Sequence, residues 1–534
     1  MDPEHREELI VEVVQRVLDR QARDDRSAEQ ALFDTLYHER RRLEHHPDEH
    51  GSEASFYDRI YSEATKAAPG RHRELLRKVL QQFANEVDGH FDRRVYAMAT
   101  KAVPVALNVL LNTLSPLRLV ETIQARLAGS ADVVDDIGLA GQIEISGHTE
   151  QVKRLARIGT TILVPTHSSN LDSVLIGFAL HQLGLPPYTY GAGLNLFANP
   201  VVGFFIGHLG AYTVDRRKTA PTYKDLLKTY AGATMETGYH NLFFPGGTRG
   251  RSGAVEHKLK LGLLGMGLNA YINNLLAGRR RPDIFVVPAT INYQLVLEAE
   301  TLIDDHLKAT GKSRYIIEDD EFSRPRRILD FMTKLFSLHS KIDIVVSRPM
   351  DVFGNPVDDE GRSLDPKGRI IDRSRYVLTN DVIGHEPQRD REYTRELARS
   401  VGEAFHRDTL IKSTNLVSYA AFQALKHKNP KTGLYRLLRS STERSVSVKD
   451  LYRHMEQTHH RVLDLAQAGR VRIDDTVRSQ DTVAIVGEAL AHLGSYHSNP
   501  AIVRKANRIL YPDPKLVLYY GNRLSGFGLD DLEA

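Results

Sequence analysis

Leu9, Ile10, Val13, Val14, Val17 and Leu18 recur at helical spacing in a segment otherwise rich in charge, which predicts an amphipathic helix. The same period returns at Leu75, Leu76, Val79, Leu80, Phe83 and Val87, and the charge-rich stretch from His45 to Glu53 reads as a solvated loop between the two. A segment from Ala102 to Leu117 lacks charge, but Pro104, Asn108, Asn112 and Pro116 break it, so it is expected as a core or interfacial helix and not a membrane span. Residues 1–125 thus read as a helical N-terminal region. The period then changes. Short β-rich runs at Ile143–Ile145, Thr161–Val164, Ile284–Val287 and Ile342–Val346 alternate with helical segments, the pattern of an α/β domain, placed over 126–350. Residues 351–375, dense in Gly, Pro and Asp, read as a linker, and 376–534 as a helical C-terminal region without internal repeats.

Charge distribution adds one feature. Between Asp172 and Asp215 there is no Asp, Glu, Lys or Arg, although 26% of the chain is charged. Gly184, Pro186, Pro187, Gly191, Gly193, Pro200 and Gly203 interrupt this stretch, which argues against one spanning helix. Two readings stay open: a buried sheet and crossover, or an apolar surface for a fatty chain or a membrane face.

Composition mainly excludes. The chain has 534 residues, 41% hydrophobic, with 71 basic against 68 acidic side chains and a formal charge of +3. That is ordinary for a globular protein, so disordered and collagen-like classes fall away. The near-neutral balance argues against dedicated nucleic-acid binding. Having no Cys, the chain offers no disulfide, thiolate metal site or Cys nucleophile, and it suits a reducing compartment. Asp2, Pro3 and Glu4 lead into the first helix, as expected for a folded start and not for a secretory signal.

Four segments carry candidate chemistry. Val164-Pro165-Thr166-His167-Ser168-Ser169-Asn170-Leu171-Asp172 follows a strand-like run and precedes a helical one. On one continuous helix, His167 and Asp172 would stand about 140° apart and never touch. They meet if His167 lies in the entering loop and Ser169 or Asn170 caps the helix carrying Asp172. Asp172 would then fix the imidazole tautomer and leave the other nitrogen as a general base. The spacing alone is weak, since it recurs at His385 to Asp390 and at His459 to Asp464. Second, the uncharged stretch ends at Asp215-Arg216-Arg217, whose adjacent cations suit a phosphate or pyrophosphate. Third, Phe243-Phe244-Pro245-Gly246-Gly247-Thr248-Arg249-Gly250-Arg251-Ser252-Gly253 runs from an apolar strand into a glycine-rich turn. Its backbone N–H groups are expected to converge on an anion gripped by Arg249 and Arg251. Fourth, Ile284 to Tyr293 reads as a buried strand interrupted by Pro288.

In this order the four segments resemble the blocks of the glycerolipid acyltransferases. His167 and Asp172 match the family's H-x-x-x-x-D; Gly210 to Arg217 resembles its second block. Phe244 to Gly253 resembles F-P-E-G-T-R-S-R-S-G, and Val287 to Tyr293 matches V-P-x-x-I-x-Y. Asp390 to Tyr393, Asn415 to Ala424 and Leu518 to Leu524 look like the C-terminal region of the large glycerol-3-phosphate and dihydroxyacetone-phosphate acyltransferases. The resemblance departs at Gly246, where the family has glutamate, and at Gly250, where it has serine; Glu256 is a candidate to compensate for the first.

What the resemblance implies is specific. The fold is a central mixed β-sheet flanked by helices. The activity is transfer of a fatty acyl group from acyl-CoA or acyl carrier protein to the hydroxyl of glycerol 3-phosphate, with His167 as base and Asp172 as its partner. Arg216, Arg217, Gly247, Thr248, Arg249, Arg251, Ser252 and Pro288 form the substrate-binding set. No metal or cofactor is expected beyond the acyl donor. The partners are that donor, a phosphorylated glycerol-type acceptor and a membrane surface, at the cytoplasmic face of a membrane as a peripheral protein. Arg279, Arg280 and Arg281, and Arg324, Arg326 and Arg327, are candidates to meet anionic headgroups. Alternatives are dihydroxyacetone phosphate or a lysophospholipid as acceptor, or a catalytically silent lipid-binding protein.

Overall fold

A computed structural model describes residues 3–23, 25–45, 51–68, 70–99, 143–194, 203–204, 207–309, 327, 331, 338, 341–439, 444–479 and 481–529. The expected helix at 102–117, residues 46–50 of the expected loop, and Arg324 and Arg326 lie outside these, as do 195–202 and 205–206 of the uncharged stretch.

Seven strands make the central sheet: β1 (Ile143–Gly147), β2 (Thr160–Pro165), β3 (Thr189–Gly193), β4 (Ala211–Val214), β5 (Asn241–Leu242), β6 (Ile284–Asn292) and β7 (Ile342–Val346). Their spatial order is β1-β7-β6-β2-β5-β3-β4. Neighbours run parallel except β6 and β7, which pair antiparallel with Ile291 opposite Ile344, so the sheet is mixed. Every residue of β2, β6 and β7 is buried. Such continuous burial is what a strand covered on both faces demands, and it is why these runs were visible as short, largely apolar blocks, with Asp343 the one charge among them. Strands β3 and β5 carried no such signal, one because it is Thr-Tyr-Gly-Ala-Gly and the other because it has two residues.

Among the described residues the sheet is preceded by α1 (Pro3–Gln21), α2 (Asp25–His45), α3 (Gly51–Thr65) and α4 (His72–Val87), and by helical residues 93–99. Within the α/β region follow α5 (Thr149–Ile158), α6 (Asp172–Gln182), α7 (Pro221–Glu236), α8 (Leu261–Leu276) and α9 (Ala299–Ala309). The apolar stripes of α1 and α4 converge with Tyr223, Leu226 and Tyr230 of α7 into one core, each buried Leu or Val contributing roughly 1.5–3 kcal/mol. Beside that core Lys218 is buried, held by Glu86 at 2.7 Å, Glu53 at 3.0 Å and Glu39 at 3.4 Å. The four helices are thereby tied to the sheet domain both by apolar burial and by a compensated buried charge.

Residues 351–372 do not form the expected linker. Met350 bridges Val286 of β6, and Val357 packs with Leu155 and Phe285. The Asp351 carboxylate is buried and accepts from Phe353 N at 2.8 Å, Asn355 N at 3.0 Å and Ser363 Oγ at 2.6 Å. Turn residues here close tight loops against the sheet, and composition cannot distinguish such loops from free chain.

The C-terminal region contributes α10 (Pro387–Asp408), α11 (Ser413–Lys428), α12 (Val448–Gln467), α13 (Thr482–Leu493) and α14 (Pro514–Gly521). Helix α11 is buried over most of its length among α12, α13 and α14. The end of α14 reaches the sheet: Tyr520 OH accepts Val296 N–H at 3.1 Å, and Arg523 donates to Ile291 O and Asn292 Oδ1 at 3.3 and 3.2 Å.

Candidate active site

The chain leaves β2 at Pro165, crosses a loop, and enters α6 at Asp172. At the helix entry Ser169 Oγ accepts Leu171 N–H at 3.2 Å, while Leu171 itself stands at the cap without a side-chain bond. The Asp172 carboxylate turns back over the loop, where its Oδ2 accepts from Ser168 N at 2.6 Å, Ser169 N at 2.9 Å and His167 Nδ1 at 2.9 Å. Its Oδ1 accepts from Tyr293 OH at the end of β6. A carboxylate in the first helical turn is also favoured by the helix dipole.

Asp172 is fully buried and the His167 side chain is 13% exposed. With the carboxylate accepting, Nδ1 carries the proton and Nε2 presents its lone pair. No described residue takes Nε2. The ring stacks on Phe244, centroids 4.0 Å apart. Burial holds the imidazole below its ordinary value; the bond to and charge of Asp172 oppose this, while Arg249 and Arg216 reinforce it. The ring is neutral near pH 7 and can accept a proton. Burial above all, then the charge of Asp172, pushes the Tyr293 hydroxyl well up, so it remains a donor.

Arg216, Arg249 and Arg251 come together. The Arg216 guanidinium is held below its ordinary value by burial and then by the charges of Arg249 and Arg251. Arg249 also pairs with Glu298 at 3.3 Å, and Glu298 accepts from Ser169 Oγ at 2.7 Å and Asn170 N at 2.9 Å. That network ties the third block to the His167 loop. Glu298 had no signal of its own, being one of several acids just beyond the fourth block.

Other expected members fall elsewhere. Arg217 folds back on Asp215, with Nε 3.1 Å from Oδ1, whereas Arg216 stands near Arg249 and Arg251. Three of the turn's glycine N–H groups are engaged within the protein: Gly247 N donates to Phe244 O at 3.0 Å, Gly250 N to His167 O at 2.7 Å and Gly253 N to Gly250 O at 3.3 Å. Gly253 is required by close approach and a φ of +80°, because a Cβ would stand 2.0 Å from Tyr519 O. Ser252 contributes its carbonyl to Asn522 Nδ2 at 2.9 Å and its hydroxyl to Ala254 N. Thr248 is exposed, whereas Pro288 is buried inside β6 with its carbonyl accepting from Ser347 N, a core position and not a contact surface.

Beneath His167 lies a cavity of ≈ 30 Å³, lined among others by Gly250, Glu256, Asn415, Tyr519 and Arg523. It has room for a water or two and is too small for a phosphorylated glycerol. Glu256 accepts the His167 N–H at 2.9 Å; burial pushes its carboxyl up to about 7, against the pull of that bond and of Arg523.

A mixed sheet with a buried His–Asp pair at the end of one strand, beside clustered arginines, sets the class: residues 145–292 match the family model for Acyltransferase, and this part of the chain is similar to the glycerolipid acyltransferases. More particularly, it is similar to proteins named glycerol-3-phosphate acyltransferase. It is 31% identical to that of Pseudomonas aeruginosa over 172 residues, covering 32% of this chain and 20% of the relative. With that of Actinobacillus succinogenes identity is 36% over 169 residues, 31% and 20% of the two chains. The match spans about a fifth of the length of these curated relatives.

Proposed function

We propose that this chain transfers a fatty acyl group from acyl-CoA or acyl carrier protein to a hydroxyl of glycerol 3-phosphate. The observation that carries the reading is the buried His167–Asp172 pair, whose Nε2 is untaken among the described residues, beside Arg216, Arg249 and Arg251. The names of the relatives support the acceptor. His167 Nε2 removes the hydroxyl proton as the oxygen attacks the thioester carbonyl, and Asp172 holds the imidazolium that forms. The same proton then goes to the departing thiolate, so that the ester forms, the thioester breaks and no covalent acyl-enzyme is required. The guanidinium groups hold the acceptor phosphate, Arg249 exchanging part of its contact with Glu298.

The acyl chain and the membrane both need apolar surface. Val174 and Phe204, at the uncharged stretch, are 45% and 47% exposed. At the end of α8, Leu276 is 56% exposed next to exposed Arg279, Arg280 and Arg281, a combination suited to an anionic lipid face. No helix among the described residues is long and apolar enough to cross a membrane. We propose a peripheral position on the cytoplasmic face of a membrane, a reading that the exposed apolar and basic residues support.

The reading is tested with labelled acyl-CoA and acyl carrier protein against glycerol 3-phosphate, dihydroxyacetone phosphate and a lysophospholipid. Turnover on glycerol 3-phosphate is expected to fall roughly 10²–10⁴-fold in His167→Ala. An unchanged rate in that variant removes the mechanism. Binding to anionic liposomes without turnover on any acceptor replaces it with a silent lipid-binding role.

A further inference from the structure

Gly246 lacks a side chain, and the space one would occupy is already filled. A Cβ there would stand 2.3 Å from Glu256 Oε2 and 2.8 Å from its Cδ, far inside contact distance. The backbone does not ask for glycine at 246, since its φ is not positive; the carboxyl does. Glu256 Oε1 accepts the His167 N–H at 2.9 Å. Its Oε2 is buried with no hydrogen-bond partner among the described residues.

The main chain of His167 is therefore gripped at both polar groups by a single turn. Its N–H is held by Glu256 and its C=O by Gly250 N at 2.7 Å. Asp172 sets the ring; the turn sets the Cα from which the ring departs. A small displacement of that origin misplaces Nε2 relative to any bound hydroxyl, and such errors are costly in rate.

We propose that Glu256 is a positioning residue for His167, and that positions 246 and 256 share one carboxyl, delivered here from 256 into the place a side chain at 246 would fill. The proposal rests on the acyl-transfer reading for its kinetic consequence, while the shared space stands apart from it.

The test compares Glu256→Ala, Glu256→Gln and the double variant Gly246→Glu with Glu256→Ala. Glu256→Ala is expected to lower kcat about tenfold or more, with KM for the acyl donor changed less than about twofold. Glu256→Gln, whose amide oxygen still accepts the His167 N–H, stays within about threefold of the parent, and the double variant recovers most of the lost kcat. A Glu256→Ala protein of parental kcat, a Gln variant as impaired as Ala, or a double variant no better than Glu256→Ala each overturns the proposal. Should the parent itself transfer no acyl group, the activity reading falls separately. The positioning role is then decided by nitrogen-15 spectra of the His167 ring, which shift in Glu256→Ala if it holds and stay unchanged if it does not. Melting temperatures decide the shared space: Gly246→Glu alone is expected to melt well below the double variant, and equal melting overturns it.

Discussion

His167 and His385 each stand in a loop five residues ahead of an aspartate in the first turn of a helix, Asp172 in α6 and Asp390 in α10. The geometry that lets a loop imidazole meet a helical carboxylate is present twice, yet the surroundings differ. His167 lies 2.9 Å from Asp172, with side chains 13% and 0% exposed; His385 lies 3.7 Å from Asp390, with 40% and 12%. Asp390 is also claimed by Arg389 at 2.8 Å, and His385 Nε2 is engaged by Asn273 Oδ1 at 2.8 Å. A third pair of the same spacing never forms, because His459 lies within α12 and bonds Val477 O at 2.7 Å while Asp464 faces His460. Loop-to-helix placement makes contact possible, and burial with one nitrogen left open makes it chemically useful.

Replacing each carboxylate breaks this comparison most directly. Asp172→Asn removes the charge that stabilises the imidazolium and unfixes the tautomer, so kcat for acyl transfer is expected to fall about 10²-fold or more. Asp390→Asn should leave kcat within about twofold, its cost confined to the local Arg389 contact. Initial rates at saturating substrate separate the two, and equal losses would show that the buried pair has no special role.

A smaller effect sharpens it. Tyr293 donates to Asp172 from β6, a support that reaches His167 only through the carboxylate. Tyr293→Phe keeps the packing and removes one donor from a buried acceptor, a loss of about 1–3 kcal/mol. The expected outcome is a fall of about tenfold in kcat with little change in KM, read from full saturation curves. A pure KM effect would instead place Tyr293 in substrate binding.

How far the sequence reached depends on how local each interaction is. His167 and Asp172 were legible because five residues and a strand-to-helix transition suffice to place them. The β2, β6 and β7 runs were legible because burial on both faces leaves a dense apolar, β-branched signature even with Asp343 inside β7. Pro288 in the core of β6 and Arg217 paired with Asp215 show the converse: a motif position identifies a neighbourhood, while the direction of a side chain is set by the partners it finds in the fold. Glu298, Asn415, Tyr519 and Arg523 reach the site or its underlying cavity from far along the chain, and no spacing rule brings them there.

The smallest expected effect concerns protons. Below its folded pKa the His167 ring is an imidazolium and cannot accept a proton, so activity falls as pH falls. Since burial, aided by Arg249 and Arg216, holds the ring below the ordinary value of 6.5, the acid limb of kcat/KM should lie below that value. Removing one nearby positive charge with Arg216→Gln makes protonation easier and should move the limb upward by a few tenths of a pH unit, whatever the variant does to phosphate affinity. The equivalent change beside His385, Arg389→Gln, should leave the limb where it is, because that imidazole takes no part in the reaction. A limb that moved with Arg389 and not with Arg216 would reverse the roles of the two histidines.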